Sequence, residues 1–79
     1  MKLKVHVVLK NGVLDPQGEA TKNTLHSLGF TNVNDVRQGK YIELDIEESD
    51  TEKAKSTVIK MCDQLLANIV IEEYLIDVE

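Results

Sequence analysis

The sequence predicts an α+β fold of element order β-α-β-β-α-β, with a four-stranded antiparallel sheet and both helices on one face of it. Three observations predict this. Apolar residues alternate at period two near both ends of the chain, and a helical stripe with spacings of three and four runs from Ala54 to Leu66. Asn-Gly, Asp-Pro and Gln-Gly pairs separate the periodic segments.

"KLKVHVVLK" places Leu3, Val5, Val7 and Leu9 on one face and Lys2, Lys4, His6, Val8 and Lys10 on the other, the pattern of a half-buried strand. After a turn at Asn11-Gly12, residues 16–28 read as a helix. Asp15 is a good N-cap and Pro16 suits the first helical position, where its missing N–H is not needed. Thr21, Thr24, Leu25 and Leu28 share one side, and Gly29 ends the helix as a left-handed residue. Gly18 stands out, because a glycine in the first turn costs about 1 kcal/mol relative to alanine.

Val33 and Val36, then Ile42, Leu44 and Ile46, read as two short strands joined by a tight turn at Gln38-Gly39. Ser49 to Glu52 has the form of a capping box, so a second helix begins there. Its stripe of Ala54, Val58, Met61, Cys62, Leu65 and Leu66 packs on the sheet, and Asn68 suits its end because asparagine tolerates left-handed angles. In the tail, Tyr74, Ile76 and Val78 alternate with Glu73, Leu75 and Asp77 as a last strand. This is the order of ferredoxin-like domains, with right-handed crossovers placing the helices together. The uncovered sheet face then carries His6, Val8, Tyr41, Glu43, Asp45 and Leu75, and a homo-oligomer contact is its expected use.

The chain has 79 residues and reads as a single domain, 1–79, with a thin core. Its one cysteine excludes an internal disulfide and fits a reducing, cytoplasmic setting. The N-terminus lacks the long apolar run of a signal peptide or membrane span. Charge is uneven: residues 1–40 carry six Lys/Arg against three Asp/Glu, and residues 41–79 carry three against eleven. With no basic face and only Phe30, Tyr41 and Tyr74 as aromatics, nucleic-acid binding is not expected.

No catalytic constellation emerges. Cys62 lies in an apolar stripe without a histidine at helical spacing, and His6 and His26 point outward without a partner to tune them. Glu43, Asp45 and Glu47 form an outward row that Lys4, His6 and Lys10 on a neighbouring strand can pair, so no metal site is expected. Glu72, Glu73, Asp77 and Glu79 read as a solvated edge. Neither glycine-rich phosphate-loop pattern occurs.

Three segments in order, "LKNGVLDPQGEA", "VNDVRQGKYIEL" and "MCDQLLANIVIEEY", resemble the PurS family, the small subunits of phosphoribosylformylglycinamidine (FGAM) synthase. Ile69 stands where the family suggests proline or a small polar residue. The resemblance implies a non-catalytic subunit of a glutamine- and ATP-dependent ligase complex of de novo purine biosynthesis. Such a subunit joins a PurQ-like glutaminase to a large PurL-like synthetase and supports ammonia delivery. It also implies a homodimer or homotetramer, no cofactor on this chain, and ATP and magnesium used by the synthetase partner. The expected partner-binding residues are Asp15, Pro16, Gln17 and Gly18 at the first helix start, Arg37, Gly39 and Lys40 at the hairpin, and Asn68, Glu72 and Tyr74 around the last strand. A regulatory small-molecule-binding domain of the ACT type shares the element order and is the alternative.

Overall fold

The computed structural model describes residues 1–79, in the order β1 (Lys2–Leu9), α1 (Pro16–Ser27), β2 (Gly39–Asp45), α2 (Thr51–Met61), a π turn (Cys62–Leu66) and β3 (Glu72–Val78). The sheet order is β2-β1-β3, with both pairings antiparallel. Leu3, Val5 and Val7 of the central strand are fully buried, as their alternation requires. Val5 stands between Ile42 and Ile76, and Lys4 between Glu43 and Asp77. Opposite charges therefore stand in register on the open face, where His6 and Asp77 at 3.7 Å are the one cross-strand side-chain ion pair.

The expected four-stranded sheet is corrected to three strands. Residues 33–38 form no strand, and there is no hairpin at Gln38-Gly39. Gly39 is the first residue of β2, paired opposite Val8, where a Cβ would collide with the Val7 carbonyl oxygen. Its glycine is thus needed for close approach of two strands. A left-handed turn does not occur there, since positive φ is confined to Gly12 and Gly29. The backbone just before it is already engaged: the Val36 N–H donates to Asp35 and the Gln38 N–H to Asp15, while the Val36 carbonyl packs against Gly18. Those two donors are not free to build a sheet ladder.

Helix α2 covers one face of the sheet, burying Ala54 and Val58 against β1, with Cys62 and Ala67 completing the core. Its N-cap is Asp50 rather than Ser49, because the Asp50 carboxylate accepts the N–H groups of Glu52 and Lys53 at 2.9 and 3.2 Å. At the other end, the Ala67 N–H reaches back five residues to the Cys62 carbonyl at 3.0 Å. That wider turn rotates the apolar stripe. Leu66 still packs against the core, but Leu65 is turned outward and is 82% exposed. The chain leaves through Ala67 in extended conformation, and Asn68 is not left-handed.

The placement of both helices on the sheet is also corrected. Gly18 is the only buried residue of α1, and the helix stands away from the core. Its one large apolar side chain is Leu25, too little for a packing face; Leu28 and Phe30 beyond it are mostly exposed. The molecule is accordingly elongated, 48 × 25 × 15 Å, with a radius of gyration of 15.9 Å. A compact chain of this length would have about 12 Å. No helix is long and apolar enough to cross a membrane.

Candidate functional site

The site is built around one carboxylate. Asp15 has a side chain only 9% exposed; one oxygen accepts the Gly18 N–H at 2.9 Å, capping α1, and the other accepts the Gln38 N–H at 2.9 Å. The Arg37 guanidinium lies 3.9 Å away. The bonds from Gln38 and Gly18, in that order, hold the Asp15 pKa below its ordinary value against the opposing effect of burial, with help from Arg37. Gly18 explains itself here. A Cβ at that position would collide with the Val36 carbonyl oxygen and crowd the Asp15 carboxylate. Residues 36–38 can lie across the helix start only if residue 18 has no side chain.

Around this knot opens a cleft of about 240 Å³ whose walls include the N-cap Asp15 with Pro16 and Gln17 of α1, Gly39 and Lys40 from β2, and Glu72 from β3. Six of the ten residues expected at a partner surface thus converge on one place. Glu72 is held there by the Asn68 N–H at 2.7 Å, with Lys40 Nζ 3.9 Å from its other oxygen. Glu72 is therefore a clamp between a loop and a strand rather than part of a solvated edge. Asn68 also accepts from Ile71 and Glu72 N–H groups through its carbonyl and from Val70 through its side chain. Gly18, Arg37 and Asn68 do not line the cleft but bond to Asp15 and Glu72, which do. Arg37 Nη2 donates to the carbonyls of Leu9 and Lys10 at 2.8 and 3.3 Å.

Tyr74 lies apart. It packs against the core and its hydroxyl donates to Asp63 at 3.0 Å; desolvation first, then Asp63, raises its pKa. Cys62 is fully buried, and desolvation followed by Asp63 pushes its thiol up, away from the reactive thiolate. His26 is not a free outward side chain: its Nε2 is 2.7 Å from the Val33 carbonyl, tying α1 to the segment that follows it. On the open sheet face His6 lies 3.7 Å from Asp77 and stacks obliquely near Tyr41, whose hydroxyl donates to Glu43. No group of three or more His, Cys, Asp or Glu residues is placed to hold a metal ion. Sequence reasoning missed Gln38, whose part is played by its backbone N–H across 23 residues of chain, a contact with no local signature.

Fold and site together define a small α+β chain: one helix on a three-stranded sheet, and a second helix with its following segment knotted by polar bonds beside a cleft. Residues 2–79 match the family model described as PurS, phosphoribosylformylglycinamidine (FGAM) synthase, and the chain belongs to that family. The PurS subunit of Bacillus subtilis strain 168 is 54% identical over 78 residues, covering 99% of this chain and 92% of the relative. Its crystal structure superposes with a TM-score of 0.89 over 99% of this chain and 96% of the other. PurS of Methanocaldococcus jannaschii, described as a subunit of formylglycinamide ribonucleotide amidotransferase in the purine biosynthetic pathway, is 46% identical with a TM-score of 0.89, covering 99% and 94%. A chain in the structure of PurLQS from Thermotoga maritima is 37% identical with a TM-score of 0.88, covering 96% and 93%. Against these matches the ACT-type alternative had only the element order in its favour, and its fourth strand is absent.

Proposed function

We propose that this chain is the non-catalytic small subunit of an FGAM synthase in purine biosynthesis, joining a PurQ-like glutaminase to a PurL-like synthetase and supporting ammonia delivery between them. The observation that carries this reading is the likeness, over nearly its full length, to a chain of the Thermotoga maritima PurLQS structure. Ammonia transfer demands two active sites held in fixed relation, and a small rigid subunit contributes to that without touching substrate. In this reading ATP and magnesium belong to the synthetase partner, this chain holds no cofactor, and the complex is cytoplasmic. The chain is a homodimer or homotetramer on its own, with its thin core of seven apolar residues as the reason to seek further burial. The cleft walls Pro16, Gln17 and Lys40 are the partner-contact surface, shaped by Asp15, Gly39 and Glu72.

Reconstitution tests the proposal. Glutamine-dependent FGAM formation by the cognate PurL-like and PurQ-like subunits should require this chain, while activity with free ammonia should depend on it far less. Unchanged glutamine-dependent activity when it is omitted would refute the assignment. Gln17→Ala with Lys40→Gln, which loses only a long ion pair to Glu72, should weaken co-elution with those subunits at nearly unaltered melting temperature; intact assembly would remove the cleft from the interface.

A further inference from the structure

The body of the molecule (residues 1–10 and 39–79) and the segment between (residues 11–38) are knit separately. Within the segment, Asp15 holds Gln38, Gly18 meets Val36, Thr21 bonds Gln38, and His26 bonds Val33. Residues 33–38 are thereby laced along α1 from Val33 to Gln38, and the two travel as one arm. Between arm and body there is no shared apolar core, since every buried residue except Gly18 belongs to the body. Besides the two covalent links, the arm meets the body through the turn bond from the Val13 N–H to the Lys10 carbonyl, and through Arg37.

Arg37 is well placed to set the angle. Its guanidinium carries several donors in a rigid plane, and here Nη2 faces the carbonyls of Leu9, the last residue of β1, and of Lys10 just after it, while Nε faces Asp15 of the arm. One side chain thus fixes the direction of the arm relative to the sheet. The first link it spans is suited to bending, since Gly12 adopts a φ of +85°, and the second runs straight into the β2 ladder, so the arm pivots where that ladder begins. We infer that residues 11–38 form a lever that turns as a unit about these two links, with Arg37 as the brace that holds it in the observed direction. The inference concerns the chain alone and does not rest on the synthase reading.

Spin labels at Asn23→Cys on the arm and Ser56→Cys on α2, both exposed positions, read the angle directly by pulsed dipolar spectroscopy. Labelled chains are diluted into unlabelled ones so that only intrachain distances are seen. Cys62, being fully buried, is retained, and its failure to take up label is checked in the parent chain. With Arg37 in place a single narrow distance peak is expected; with Arg37→Ala that peak should be lost to a broad distribution. Amide exchange in α1 and in β1 should stay at parent levels. An unchanged peak would overturn the brace, and loss of α1 protection would overturn the lever, since the arm would then be melting rather than turning. If Arg37→Ala does not fold, Arg37→Lys is read in its place; lacking the planar fork, it should also broaden the distribution, and a narrow peak would again overturn the brace.

Discussion

The body and the arm of this chain are stabilised by different physics. In the body, Leu3, Val5, Val7, Ala54, Val58, Cys62 and Ala67 are shielded from water, and apolar burial supplies the driving force. In the arm the buried residue is a glycine, and order comes from polar bonds centred on Asp15, Arg37 and His26. An isolated helix of 12 residues is marginal in water. The capping carboxylate, and the segment it ties down, therefore decide whether α1 persists. The comparison teaches that a chain too small to cover all its elements with one core can still position an outlying helix, by using a few well-bonded groups as joints.

The largest blow to this division would come from the core. Leu3→Ala should cost about 2–5 kcal/mol of global stability, read as a shift of the urea midpoint with unaltered slope. A cost confined to the arm would reverse the assignment of roles. Gly18→Leu should come next: it forces the Val36 carbonyl away from the helix start, at a cost of about 1–3 kcal/mol, typical of overpacking. Amide exchange should rise across α1 and residues 33–38 while β1 and α2 keep their protection. Equal loss everywhere would show that arm and body unfold as one.

Acid sharpens the comparison further. Asp15 has a lowered pKa in the folded chain, so its stabilising contribution is complete above the ordinary value of 3.8 and is lost as pH falls through the lower native value. The arm should loosen before the body in that acid range, and Asp15→Asn should abolish the difference; an arm insensitive to pH in the parent protein would contradict the joint. Tyr74→Phe removes a hydrogen bond to Asp63 at the body's margin and should lower stability by about 0.5–1.5 kcal/mol. The smallest effect is expected at Leu65. Because the π turn exposes it, Leu65→Ala should stay within about 0.5 kcal/mol of the parent, in contrast to Leu3→Ala. A core-sized loss at Leu65 would mean that the helix continues unbroken in solution.

Much of the body was legible. Period-two alternation identified β1 and β3 and their inward residues, and helical spacing identified Ala54, Val58 and Cys62. The site was legible in part. Asp15 could be read as a cap from local rules, and the resemblance picked out Pro16, Gln17, Gly39, Lys40 and Glu72, but nothing local showed that they share a cleft. Gln38 escaped because a backbone donor carries no side-chain signature.

Periodicity and capping chemistry are local, so the sequence by itself determined which faces of β1, α2 and β3 are apolar and where α1 starts. Glycine is ambiguous at that level: Gly39 could turn the chain or admit a close strand, and Gly18 could serve a neighbouring chain or its own backbone. Only tertiary structure decided these cases, because the answer lies in what stands opposite. The Val7 carbonyl keeps Gly39 within a strand, and the Val36 carbonyl lies against Gly18, drawing residues 33–38 onto α1. The π turn was settled in the same way, by a hydrogen bond five residues long that no apolar spacing foretells.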